Sequence, residues 1–193
     1  MKTIPWILLS LAVAFTAFAQ KKPSYTPDQA VARMKLPAGF SVTQFAAEPD
    51  VVQPFAFCFD DRGRVWVCEN LNYETRKSDS FKQGPKGRIL ILEDTDGDGR
   101  FDKSTIFAKG LAWPTALFCS NGGVYVGVTP DLFFFKDTNG DGVADTQKKI
   151  FTGFGRARLN VQGIFNSLRW GLDNRIHGAT AHNGGDISQP GTD

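Results

Sequence analysis

Apolar positions along this chain come in short runs punctuated by Asp, Gly and Asn, and beyond residue 35 no run keeps a helical period. Arg88-Ile-Leu-Ile-Leu-Glu-Asp94 reads as a buried strand running into an acidic loop. Forty-three residues later Asp131-Leu-Phe-Phe-Phe-Lys-Asp137 repeats the design. Each loop leads to a further short strand, ending at Ile106-Phe107 and at Ile150-Phe151. A strand–turn–strand element recurs as well, in Phe55 to Val67, Thr115 to Val126 and Ser167 to Gly178. The polar stretch from Tyr73 to Gly87 reads as a long loop that absorbs the extra length between the first two copies.

A period of about 40–50 residues with four short strands per unit is the pattern of β-propeller blades. A blade cannot bury both faces alone, so blades stack around an axis. The expected fold is therefore all-β: two blades and the start of a third, as the N-terminal piece of a longer, six-bladed propeller. A small β-sandwich is the competing architecture. Residues 36–193 form the propeller part, and residues 20–35 a polar lead-in in which 27–34 can form a short helix capped by Thr26, with Pro27 at its first position.

Residues 1–19 read as a signal peptide. Lys2 gives a positive start, Ile4 to Phe18 is almost continuously apolar, and Ala17-Phe18-Ala19 is a small-x-small cleavage site. The run is shorter than the roughly 20 residues of a membrane-spanning helix. The expected location is periplasmic or extracellular, with attachment at a membrane surface left open. Without the signal the chain has 21 basic and 20 acidic residues, which gives no electrostatic basis for nucleic-acid binding. Three cysteines, Cys58, Cys68 and Cys119, leave at least one thiol unpaired within the chain. Cys58 and Cys68 sit at unequal distances from the Asp60-Asp61-Arg62-Gly63 turn, so buried thiols are expected in preference to a bridge between them. No Cys-x-x-Cys-His run, and so no c-type haem site, is present.

The acidic loops carry the clearest chemistry. Asp94, Asp96, Asp98 and Asp102 occupy positions 1, 3, 5 and 9 of the first; Asp137, Asn139, Asp141 and Asp145 occupy them in the second. Ca²⁺ takes six to eight hard oxygen ligands, and alternate side chains of a curled loop converge on one point. Gly99 and Gly142 permit the bend at position 6, and the carbonyls of Arg100 and Val143 can add one oxygen each. Position 12 is Thr105 or Lys148 where an EF-hand has Glu, and the flanks are strands rather than helices. Polar Asp/Gly turns that bind nothing are the alternative.

Leu36-Pro-Ala-Gly-Phe40, Phe45-Ala-Ala-Glu-Pro-Asp50, the Arg88–Asp102 stretch and Asn166-Ser-Leu-Arg-Trp-Gly-Leu-Asp173 together resemble the N-terminal propeller of the bacterial membrane-bound dehydrogenase family, related to quinoprotein glucose/sorbosone dehydrogenases. The resemblance runs from about residue 36 to residue 185. It implies a periplasmic propeller that oxidises a sugar or polyol with pyrroloquinoline quinone (PQQ). Electrons would pass to a cytochrome c module, which, like the remaining blades, lies outside this chain. Soluble glucose dehydrogenases of this kind place a histidine just before the strand that Ser167-Leu168 resembles; Val161-Gln-Gly-Ile-Phe-Asn166 has none. The other candidates for a site are His182, in a Gly-rich loop, and Arg169, with Arg158 as a further cation. His177 is expected to be a structural histidine, and Trp66, Trp113 and Trp170 core residues.

The export reading has a direct check. Mass spectrometry of the protein recovered outside the cytoplasm should find Gln20 at the N-terminus, whereas retention of Ile4 to Phe18 would make the segment an anchor.

Overall fold

The computed structural model describes residues 25–73, 84–155 and 163–191; the expected signal peptide, the tip of the loop after Tyr73, and Arg158 lie outside them. The chain divides into two units, Met1–Lys35 and Leu36–Asp193. The first contains helix α1 (Pro27–Ala32), shorter than the expected 27–34. Its start is a capping box: Gln29 N–H donates to the Thr26 hydroxyl, and Thr26 N–H donates to the Gln29 side chain.

The second unit is all antiparallel β. Its first sheet is a meander of β1 (Pro54–Phe59), β2 (Val65–Glu69), β3 (Gly87–Glu93) and β4 (Lys103–Leu111). Its second is a meander of β5 (Pro114–Ser120), β6 (Gly123–Val128), β7 (Asp131–Lys136) and β8 (Thr146–Phe154). The third pairs β9 (Asn166–Trp170) with β10 (Ile176–Ala179). A single 3₁₀ turn, Ala181–Asn183, then leads to β11 (Gly185–Ser188), which returns to the outer edge of the second sheet beside β8. The second sheet thus has five strands where the repeat predicted four. Within each meander neighbouring strands are consecutive in the chain, and among the described strands β11 alone joins its sheet out of order.

Strand alternation distributes the core. In the first sheet Trp66, Cys68, Ile89, Ile91 and Phe107 face the second sheet, where Leu117, Val124, Val126 and Phe135 meet them. The alternate residues Val67, Leu90 and Leu92 face the other way, onto Val51, Phe45 and Phe101. Both faces of β3 are therefore covered, which is why Ile89 to Leu92 is an unbroken apolar run. The second sheet repeats this: Ala116, Leu132 and Phe154 pack on Phe165, which leads into β9, and on Leu168 of β9. Gly127 permits that approach, since a Cβ there would lie 2.5 Å from the Phe165 ring.

The first strands of the three sheets lie side by side, β1 against β5 and β5 against β9. The first two enter alike: Gln53 before Pro54 has φ 47° and Trp113 before Pro114 has φ 57°, and each proline is followed by a bulge. At the β1 end of this stack apolar side chains stay exposed: Phe57 and Phe59 are 61% and 62% exposed. Trp66 and Trp113 are core residues as expected. Trp170 is not: it lies on the side of the third sheet that faces the second, stacked on Phe118 of β5 at 6.2 Å, yet stays 55% exposed at the margin of that contact.

Phe107 is the keystone of the first inter-sheet core, 2% exposed with its ring 4.6 Å from Trp66. Phe107→Ala should destabilise the fold by about 3–5 kcal/mol, read from denaturant midpoints at constant slope.

Candidate metal centres

Both acidic loops cross from the third to the fourth strand of their sheet, the first between β3 and β4 and the second between β7 and β8. Their internal bonding is nearly identical. Asp94 accepts from Gly97 N–H (2.7 Å) and Gly99 N–H (2.9 Å); Asp137 accepts from Gly140 N–H (2.6 Å) and Gly142 N–H (2.8 Å). Asp98 accepts from Arg100 N–H and Asp141 from Val143 N–H. Asp96 and Asn139 accept from the N–H groups of Asp98 and Asp141. The ninth-position Asp102 and Asp145 accept from the Thr95 and Thr138 hydroxyls, both at 2.7 Å. The left-handed bend extends further than the sequence indicated. Gly97 and Gly140 at position 4 have φ 79° and 84°, as well as Gly99 and Gly142 at 85° and 87°.

The first loop brings Asp94, Asp96 and Asp102 together, with one carboxylate oxygen from each within 4.8 Å of the others. Two oxygens on one Ca²⁺ at 2.3–2.6 Å can lie no more than about 5 Å apart, so this spacing fits a single calcium ion. Asn139 replaces the second of these carboxylates in the other loop, whose hydrogen bonds otherwise match. The carboxyls of Asp102 and Asp137 lie below the usual 3.8, the first through the Thr95 hydroxyl and N–H, the second through the Gly142 and then Gly140 N–H groups. Both are thus held in the charged form a metal requires.

Each loop is also fastened to the segment that precedes its sheet. At position 8, Phe101 N–H donates to Phe45 O (3.2 Å) and Ala144 N–H donates to Phe107 O (2.8 Å). At position 6, a Cβ on Gly99 would meet Thr43 Cγ2 at 3.4 Å, and one on Gly142 would meet Thr105 Cγ2 at 3.3 Å. Thr43-Gln44-Phe45 therefore stands to the first loop as Thr105-Ile106-Phe107 of β4 stands to the second.

A cleft of about 690 Å³ opens between the first two sheets, lined by Asp60, Arg64, Trp66, Cys119, Asp137 and Asp141 among others. Asp60 is its organiser. It accepts from the N–H groups of Arg62 and Arg64, from Arg64 Nε (2.7 Å) and from Trp66 Nε1 (2.8 Å). Burial pushes its carboxyl up, but the bonds from Trp66, Arg64 and Arg62 outweigh burial and hold it below 3.8.

The catalytic candidates stand on separate elements. Arg169 lies on β9 opposite His177 of β10. His182 lies in the 3₁₀ turn, its ring against Gly163, where a Cβ would be 2.4 Å away. His177 pairs with Asp173 at 2.9 Å, a partnered but exposed histidine. Sequence reasoning passed over a buried polar run, Glu69, Asn70 and Asn72. Glu69 accepts from Val52 N–H (2.6 Å) and from Arg88 Nε. Asn72 ties Gly84 and Lys86 across the long loop. Its signal was visible: Cys-Glu-Asn-Leu-Asn directly continues an apolar strand.

The chain matches the family described as a domain of unknown function, DUF7133, over residues 26–193, and it belongs to that family. No curated protein matches it. Two solved structures of Trichoderma reesei carbohydrate-active enzymes of family AA12 are similar in part. The calcium structure is 16% identical with a TM-score of 0.40, over 64% of this chain and 27% of that one. The iodide structure is 17% identical with a TM-score of 0.35, over 52% and 23%. The chain thus spans about a quarter of the length of the structures it matches.

A carboxylate held below its unfolded value contributes stability that is complete above that value and is lost as pH falls through the folded one. Chemical denaturation from neutral to acid pH should therefore show stability falling below about pH 4. In Asp60→Asn the amide nitrogen meets donors from Arg64 and Trp66. That variant should lose about 1–3 kcal/mol at neutral pH and show a flatter acid limb.

Proposed function

We propose that this chain is part of an exported, calcium-stabilised β-propeller in which metal-ordered acidic loops fasten each blade to the one before it. The observation that carries this reading is the convergence of Asp94, Asp96 and Asp102 within 4.8 Å in a loop that bonds across to Phe45. The matching bonds of Asp137, Asn139, Asp141 and Asp145 support a second site of the same kind. Calcium neutralises carboxylates that otherwise repel one another and fixes the loop against its neighbour. The side-by-side first strands, the repeated entry at Gln53-Pro54 and Trp113-Pro114, and the apolar face exposed at the β1 end support a stack that further blades complete. A scaffold of this kind presents its open end to a carbohydrate or a protein partner.

An enzymatic role, a PQQ-dependent oxidation of a sugar or polyol with electrons passed to a haem module, rests on the sequence resemblance alone. Arg169 and His182 are on separate elements, and no step is assigned to them. Titration of the protein with PQQ, followed by its absorbance, tests this role directly.

The calcium reading is tested by melting the protein in EDTA and in millimolar Ca²⁺, with isothermal titration to count sites. Binding to the folded state alone stabilises by about 2.7 kcal/mol at a hundredfold excess over Kd. Asp94→Ala and Asp137→Ala should each remove part of the shift, and the double variant all of it. The first loop should bind more tightly, having Asp96 where the second has Asn139. Mg²⁺ should substitute poorly because it requires a tighter octahedron. An unchanged melting temperature with no heat of titration would leave these loops as turns only.

A further inference from the structure

The sequence directs attention to Cys58 and Cys68, which flank one turn. The structure brings together a different pair. In the β1–β2 register Cys58 lies opposite Trp66 and Cys68 opposite Ala56, so these two do not face each other. Cys58 of β1 and Cys119 of β5 instead approach across the boundary between the first two sheets, with their sulfurs 3.4 Å apart. All three thiols are free; Cys58 and Cys119 are half-buried, whereas Cys68 is fully buried.

We propose that Cys58 and Cys119 are a disulfide site that covalently staples the first sheet to the second. A covalent S–S bond is about 2.05 Å, so closing the gap requires a movement of a little over 1 Å, shared between two side chains. The strands that carry them already pack against each other, so the backbone is brought together before the bond forms. Access is provided by the cleft between the sheets, which Cys119 lines. The reacting form of the pair is also prepared. The contact between the two thiols lets them share one proton: it draws Cys58 below the usual thiol range, against burial and the Asp60 charge, and together with burial pushes Cys119 well above it until Cys58 has reacted. Burial pushes Cys68 well above that range, with Glu69 adding to the effect, so it stays protonated and inert.

The oxidant is a disulfide of the glutathione class, and the step is thiol–disulfide exchange. The Cys58 thiolate attacks one sulfur of the oxidant, forming a mixed disulfide and expelling one thiolate. Cys119, losing its proton, then attacks Cys58 Sγ, forming the protein S–S bond and expelling the second thiolate. Two protein thiols lose two protons and two electrons, and one oxidant disulfide becomes two thiols. The staple closes a loop between positions 61 apart in sequence. Restricting the unfolded chain in this way stabilises the fold, the more so for a long loop.

The reduced full chain is incubated with oxidised glutathione, denatured and assayed for thiols, and a non-reducing tryptic digest is mapped by mass spectrometry. The expected result is a fall from three thiols to one, with peptide 36–62 joined to peptide 110–136. The melting temperature should rise on the order of 10 °C, reversibly on reduction. Cys68→Ser should retain the link, whereas Cys58→Ser and Cys119→Ser should each abolish both link and shift while keeping the β circular-dichroism spectrum. Three persisting thiols, glutathione left on Cys58 without closure, a bridge to Cys68, or bridges only between molecules would each overturn the proposal.

Discussion

The first two sheets of this protein are apolar on both faces, and that constraint governs the rest of the structure. Leu90 and Leu92 of β3 point one way and Ile89 and Ile91 the other, and all four are buried. A sheet built this way has no face to offer water, so it must have a neighbour on each side. The second sheet is that neighbour on one side of the first, and the segment from Phe45 to Val51 supplies it on the other. The third pair of strands begins to do the same for the second sheet through Phe165 and Leu168. At the β1 end, beyond the first sheet, aromatic side chains remain in solvent: Phe57 and Phe59.

Polar groups set the registry between these layers. Asp60 holds the Trp66 indole, Trp66 packs edge-on to Phe107, and the Phe107 carbonyl holds Ala144 of the second acidic loop. This path runs from a turn of the first sheet to a loop of the second through contacts whose geometry is directional. Apolar burial brings the sheets together without fixing how far one slides along the other; hydrogen bonds at defined atoms do. Glu69 has the same role on the opposite side. It is a fully buried carboxylate bonded to Arg88 and to the Val52 amide, which ties the chain entering β1 to the sheet it is about to join. Such a charge is tolerated inside only because both partners are present.

The acidic loops are therefore more than turns within a sheet. Their position-8 residues reach the preceding layer, where Phe101 enters the apolar cluster of Leu90 and Leu92 and Ala144 packs beside Phe107. The proposed cation at the carboxylates would stiffen a loop that already spans two layers, coupling loop order to layer contact.

The sequence by itself determined the elements and their repetition. Period-2 alternation and Asp/Gly punctuation place β3, β7 and the three strand–turn–strand pairs, because side-chain alternation in a strand is a local property. The acidic loops were equally legible, since their acidic and amide side chains lie within nine residues and the bend needs glycines at fixed positions. Only the tertiary structure decided what depends on contacts between distant segments. It placed Cys119 rather than Cys68 beside Cys58, left Trp170 exposed, sent β11 back to the second sheet, and buried Glu69 with Arg88. None of these follows from local pattern, because each is set by which layer lies against which, and that is fixed by two-sided burial and by hydrogen bonds between residues far apart in the chain.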